Sequence, residues 1–284
     1  MRNLNKQYTM DDGRWACRPL AATVLCALTL SALPLSPAAA QQHAVDSTRA
    51  TSHMLTIGSA EVLDTYLSPE KYEGTEVRYI WQSLSPTRWR HVSRTVTHEG
   101  QLTTVHNRAD NNDELGGAYR LRYILRRDWR LTSGLTLSAG GGLDAMAGFL
   151  YNMRNTNNPA QARVALHLTP SVAATYDFSW RAACFQLAYE ASAPLVGLMF
   201  SPNYGQSYYE IFNEGDNDHN IVPTTIGTTP SLRHQLTLDF RPARKWRRTW
   251  LRIGYLGDYQ QARINNLRYH QYSHLFILGI TKKW

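Results

Sequence analysis

The sequence predicts an all-β transmembrane fold, an antiparallel up-and-down β-barrel of about ten strands, and three observations carry that expectation. First, the C-terminal stretch alternates strictly. Trp284, Lys282, Ile280, Leu278, Phe276 and His274 share one face, and Lys283, Thr281, Gly279, Ile277, Leu275 and Ser273 the other. A strand ending on Trp leaves a sheet edge open unless another strand pairs with it, and barrel closure removes the edge. Second, the same alternation recurs along residues 41–284, where no run of about eighteen apolar residues offers a helical span. Third, the chain opens on an export signal. Arg14 and Arg18 precede the apolar run Ala21 to Leu35, and Ala38-Ala39-Ala40 supplies a cleavage site before Gln41. Residues 1–40 are therefore read as a cleaved signal peptide, with translation starting at Met1 or Met10, and residues 41–284 as the barrel.

The strands follow in order. His53 to Ala60 and Trp89 to Thr104 alternate weakly. Val77, Tyr79 and Trp81 oppose Glu76, Arg78 and Gln82, and Tyr119, Leu121, Tyr123 and Leu125 oppose Arg120, Arg122 and Arg126. Leu135 to Phe149, Val164 to Phe178 and Phe185 to Ala191 repeat the pattern, and Leu232 to Arg241 is its cleanest instance. Leu251 to Gln260 and the terminal strand complete the set. Ser85 to Arg88, Arg127 to Ser133, Phe178 to Arg181 and Pro242 to Arg248 read as short turns. Longer polar links are expected at Val62 to Gly74, Asn107 to Asp113, Asn152 to Gln161, Met199 to Ser231 and Ile264 to Tyr269. Bacterial barrels have short periplasmic turns and long external loops, so both termini are expected in the periplasm.

Alternation alone does not separate a membrane barrel from a soluble, lipocalin-like one with its apolar face inside. Bulk favours the membrane: Trp, Tyr, Leu and Phe crowd the apolar face of nearly every strand, more ring volume than a closed dry core would hold. Sixteen Tyr and eight Trp suit interfacial girdles. Cys17 and Cys26 leave with the signal, so Cys184 has no intramolecular partner. The formal charge of +8 falls to about +6 once the signal's four basic and two acidic residues go. That balance does not imply nucleic acid. The densest basic cluster, Lys245, Arg247 and Arg248, lies on an expected turn, where lipid phosphates are the simpler partner. Gly140-Gly141-Gly142 lies in a strand and marks a bend or close approach instead of a phosphate loop.

The inward face gathers Glu76, Arg78, Arg120, Arg122, Asp144, Arg163, His167, Asp177, Glu190, Arg233, Asp239, Arg241, Arg252 and Asp258. In a barrel this narrow these charges are expected to pair across the lumen and fill it; a polar conduit or proton path is the alternative, which usually takes more strands. The link Met199 to Ser231 carries five aromatics in Phe200 to Phe212, and Tyr204, Gln206, Ser207, Tyr208, Tyr209 and Glu210 are the candidate ligand-binding residues. The same rings could form an outer belt or a lid. Asp216, Asp218 and their neighbours lack the spacing of a calcium loop. A rim hydrolase built on Ser207, His219 and Glu210 is conceivable, subject to geometry. No catalytic residue, metal or cofactor is assigned.

Tyr66-Leu67-Ser68-Pro69, Tyr72-Glu73-Gly74-Thr75-Glu76 and the stretch Pro194 to Phe212, especially Tyr204 to Glu210, together with the Ala40-Gln41 junction, resemble an uncharacterised family of outer-membrane β-barrels from Bacteroidetes-type Gram-negative bacteria. The resemblance spans essentially the whole mature chain and brings no activity with it. The expectation is a barrel with an ion-paired interior and an aromatic external loop, acting in surface binding or a structural role. A narrow channel for small polar solutes and a rim hydrolase are the alternatives. The expected partners are the outer-membrane bilayer, the barrel assembly machinery through the strand ending at Trp284, and an unidentified surface ligand.

Overall fold

The computed structural model describes residues 49–156, 158–181, 183–241 and 248–284; the signal segment and the basic residues Lys245 and Arg247 lie outside them. Six long strands open the chain: β1 (Ala50–Asp64), β2 (Tyr72–Pro86), β3 (Val92–Asn107), β4 (Asp113–Arg130), β5 (Leu135–Asn152) and β6 (Ala160–Trp180). Then come β7 (Ala183–Ser192), β8 (Val196–Phe200), the short helix α1 (Tyr208–Phe212), β9 (Ile221–Thr225), β10 (Leu232–Arg241), β11 (Thr249–Ile264) and β12 (Leu267–Lys283). β7 and β8 both pair with β6, so they are two halves of one wall strand broken around Pro194. β9 pairs with β8 and β10 with β7, two halves of the next. The wall therefore has ten antiparallel strands, and it closes where β1 pairs with β12, from Ala50↔Lys283 to Asp64↔Tyr269.

The side-chain distribution decides between the soluble and membrane readings. Leu55, Ile57, Leu102, Leu143, Leu166, Val172, Leu278 and Ile280 face outward and are exposed, whereas Glu76, Arg78, Glu99, Arg122, Arg233 and Asp258 are buried inside. A soluble barrel has the reverse polarity. An outward apolar wall on a closed antiparallel barrel is the form strands take in lipid. Exposed Trp89, Trp129, Trp180 and Trp284 lie at the end of the barrel that carries the termini, with half-buried Trp250 beside them. The Arg88 and Arg181 guanidiniums stand 5.4 and 5.2 Å from the Trp89 and Trp180 ring centroids. Such a girdle belongs at a membrane–water interface.

Turns at that terminal end are short, as at 87–91 and 131–134, and longer links lie at the opposite, loop end, as at 65–71 and 153–159. Two expectations need correcting. The link expected at Ile264 to Tyr269 is a two-residue hairpin turn, Asn265-Asn266, with φ of 50° and 60°. Asparagine tolerates that left-handed pair, so the ladder runs on to Ile264↔Leu267 and no loop remains. Met199 to Ser231 is likewise no irregular loop, since β8, α1 and β9 occupy much of it. The glycine run does mark a close approach: a Cβ on Gly142 would run into the Tyr123 carbonyl oxygen on β4.

Candidate functional site

The barrel interior is a layered ion-pair network, and alternation puts it there: Glu76 and Arg78 on β2, Glu99 on β3, Arg120 and Arg122 on β4, Arg233 on β10 and Asp258 on β11 all point inward. Arg78, with no exposed surface, is the hub. Its Nε donates to Glu76 at 2.5 Å, one terminal nitrogen donates to Glu99 at 2.7 Å and Asp258 at 2.6 Å, and the other donates to Ser273 Oγ at 3.1 Å. Arg233 binds Glu99 at 2.5 Å and Asp258 at 3.2 Å, and Arg120 reaches Asp258 at 3.0 Å and Asp144 at 3.1 Å. The far oxygen of Glu76 accepts from Gln101, Thr103, Gln271 and Ser273. Arg122 and Arg126 share Glu190. Nearer the termini, Asp239 takes a two-pronged contact from Arg252 at 2.6 and 2.9 Å, with Lys283 at 3.4 Å. Arg163 stands apart. Its guanidinium lies 3.6 Å from the Tyr269 ring centroid and donates to Gln271 and Gln260, with no carboxylate within 4.0 Å among the described residues.

Burying charges is tolerated where geometry is good and the remaining lone pairs and protons are satisfied. The bonds from Arg78 and Arg233 join β2, β3, β10, β11 and β12 across the lumen, so the network spans the interior instead of lining it. The seven lumen residues expected from sequence, Arg78, Arg120, Arg122, Arg163, Arg233, Asp239 and Arg252, all face inward, but they form a central network, a separate terminal-end cluster and the isolated Arg163. Glu99 is not legible in the sequence as a lumen charge, and Arg126 is legible only as part of the face that opposes Tyr123 and Leu125. On β3 the inward face (Thr95, Thr97, Glu99) adjoins an outward one carrying His98 and Thr104, so the period-two contrast that would flag Glu99 is weak.

Over the loop end, α1 forms a canopy. Ser207 caps it: its Oγ accepts from Glu210 N at 3.2 Å, and Glu210 Oε2 accepts from Ser207 N at 2.6 Å, a reciprocal capping box. The Ser207 amide and hydroxyl hold the Glu210 carboxyl below its ordinary range. Tyr208 turns inward, its hydroxyl accepting from Ala162 N at 2.6 Å and donating to Gln161 at 2.9 Å, and burial pushes the phenol up to about 12. Tyr66 packs edge-on against it and donates to the Gln206 carbonyl at 3.0 Å. The buried Gln206 side chain accepts from Asn203 N and Asn220 Nδ2 and donates to Asp216 O.

Of the six candidate binding residues, Gln206, Ser207, Tyr208 and Glu210 thus hold the canopy together. Tyr204 and Tyr209, 75% and 62% exposed, project from it, and Phe212 at 69% joins them. The Ser207, His219, Glu210 set does not assemble: Ser207 and Glu210 serve the cap, and no hydrogen bond joins the His219 side chain to either. Among the described residues no three His, Cys, Asp or Glu side chains converge as a metal set.

Closed ladder, apolar exterior, tryptophan girdle and ionic interior together define an outer-membrane β-barrel. The chain belongs to a family described as "Protein of unknown function (DUF3316)", whose model matches residues 23–284. No curated protein matches it. Solved structures with a similar course include the transport unit of the autotransporter AIDA-I from Escherichia coli, at 8% identity and TM-score 0.45, covering 86% of this chain and 92% of that one. The outer membrane protease OmpT from Escherichia coli shows 5% identity and TM-score 0.39 over 84% and 97%. An outer membrane channel from Pseudomonas putida F1 shows 6% identity and TM-score 0.38 over 84% and 95%. Transport, proteolysis and conduction are those proteins' own properties; a shared fold does not carry function with it.

Proposed function

We propose that this chain is a non-conducting outer-membrane barrel that acts through its loop end, presenting Tyr204, Tyr209 and Phe212 as a surface-binding face. The observation that carries this reading is Arg78: wholly buried, it ties carboxylates of β2, β3 and β11 together across the lumen. The canopy is braced by hydrogen bonds to the wall at Gln161, Ala162 and Asn265, so the exposed rings sit on an ordered support. Rigid aromatic anchors of this sort lose little entropy on binding. Both termini lie in the periplasm, the canopy faces outward, and β12 with Trp284 is the segment offered to the barrel assembly machinery. Planar-bilayer recording of the refolded mature chain tests the reading. A heat-modifiable barrel without unitary conductance is expected. Discrete conductance from the unmodified chain would overturn it and make the lumen arginines the functional groups.

A further inference from the structure

Among the described residues the barrel wall has a break between β9 and β11, and a cavity lies behind it. β11 pairs with β10 only as far as Leu232↔Tyr259, whereas β12 pairs with β11 all the way to Ile264. The stretch of β11 beyond Tyr259 therefore has a strand on one side only. β9, which would be its neighbour, pairs with β8 alone among the described strands and carries Pro223, a residue sheets accept at an edge because it lacks the N–H. Between them sits the insert Ile226–Ser231, opened by a helical turn in which Thr228 and Thr229 donate back to the Thr225 carbonyl. The insert holds β11 by few bonds. Arg263 N donates to Thr228 O at 2.8 Å, Gln261 N donates to Ser231 Oγ at 2.9 Å, Gln261 Nε2 donates to Pro230 O at 3.1 Å, and Ser231 Oγ donates to Gln261 O at 3.2 Å. A side chain here does part of what a backbone ladder does elsewhere.

The cavity behind the insert is about 50 Å³, room for a few waters or the end of a larger molecule. Its wall includes Thr229, Ser231 and Leu232 from the insert and the start of β10, and Gln261 and Ala262 from the half-paired strand. Its lining also includes Arg120, Asp144, Arg233 and Asp258, so it adjoins the ion-pair network. Four polar atoms of its lining have no hydrogen-bond partner: Thr169 Oγ1, on a side chain only 2% exposed, His167 Nε2, Arg233 Nε and Arg120 Nε, the last 3.1 Å from the Asp144 carboxylate. Unsatisfied buried groups of this kind call for a ligand or water. Met146, Met199 and Ala165 give the lining a compliant apolar part, beside the polar Asp144, Ser192 and Gln260. On the outer surface at the break, Leu232 and Ile226 are exposed toward the lipid. The charged groups of the lining already pair with one another, so the cavity has polar atoms to offer but no surplus charge.

We infer that the break between β9 and β11 is a side entrance from the membrane, and that the cavity receives the head of a neutral single-chain amphiphile. The head bonds Thr169, His167 and Arg233, and the chain leaves past Ser231 to lie over Leu232 and Ile226. Binding here goes beyond surface recognition at the canopy and is independent of it, since the amphiphile is held above the ion-pair network and does not cross the barrel.

The test uses the full mature chain in phosphatidylcholine nanodiscs and a 1-monoacylglycerol with a photoactivatable group near its head, as probe. Labelling at Met146, Met199 or Ala165, displaced by excess unlabelled 1-monolauroylglycerol, is expected. A Ser231→Cys, Gln261→Cys pair on a Cys184→Ser background should abolish that labelling when oxidised and restore it on reduction. Thr169→Val should weaken it several-fold. Labelling confined to the outer apolar band, no displacement by competitor, or a lock without effect would each overturn the inference. Should the cystine variant fail to fold, the labelled positions in the parent chain and in Thr169→Val decide alone.

Discussion

Arg78→Met isolates what the hub contributes, because its three carboxylates are left in unequal positions. Asp258 keeps Arg120 at 3.0 Å and Arg233 at 3.2 Å, and Glu99 keeps Arg233 at 2.5 Å. Glu76 loses the one cation within 4.0 Å of it among the described residues and retains neutral donors there. One uncompensated buried carboxylate is therefore created, and breaking a buried pair in that way costs about 3–5 kcal/mol. Adding Glu76→Gln removes the stranded charge while the amide still meets Thr103 and Ser273, so the double variant should recover about 1–3 kcal/mol. Reversible urea unfolding in lipid vesicles, followed by heat-modifiable mobility, reads both numbers. A single variant within 0.5 kcal/mol of the parent, roughly the scatter of an ordinary surface substitution, would refute the network's structural role; so would a double variant no better than the single.

Asn266→Val places a β-branched residue at φ 60°, where L side chains are strained by about 1–2 kcal/mol; Asn266→Gly should be close to neutral in the same unfolding assay. For Glu210 the sign follows from its lowered folded-state value. The cap is fully effective above the ordinary carboxylate range and is lost as pH falls through the lowered value, so amide exchange at Ser207 and Glu210 should quicken only below about pH 4. Exchange unchanged down to about pH 2 would contradict that assignment.

Where the chain alternates against lipid, sequence and structure agree residue by residue, as in Leu232 to Arg241 and the terminal strand, because the pleat itself sorts side chains between lipid and lumen. The legible pattern weakens where both faces are polar, which hid Glu99, and where local backbone chemistry outweighs composition, which made Asn265-Asn266 look like a loop. The canopy was visible as an aromatic cluster, yet its division of labour was not. Ser207 and Glu210 show the spacing of a capping box, but only the fold reveals that Tyr208 points down to Gln161 while Tyr204 and Tyr209 point away. The wall break was written in Pro194, Pro223 and Pro230, each spaced too far apart to read as one feature until the strands were paired.

The seam between β1 and β12 has a consequence for how the barrel is made. Ser52 and Thr281, bonded at 3.0 Å inside that seam, stand 229 positions apart along the chain. Such a contact forms against nearly the largest loop entropy the chain can present, and topologies dominated by remote contacts fold slowly. Until β12 arrives, β1 carries a row of unpaired amides along a strand whose Leu55 and Ile57 already suit hydrocarbon, an arrangement that lipid penalises and a passing strand would accept. The arrival of β12, whose alternation is the same pattern that announces the fold, is therefore the step that pairs this edge and completes the wall.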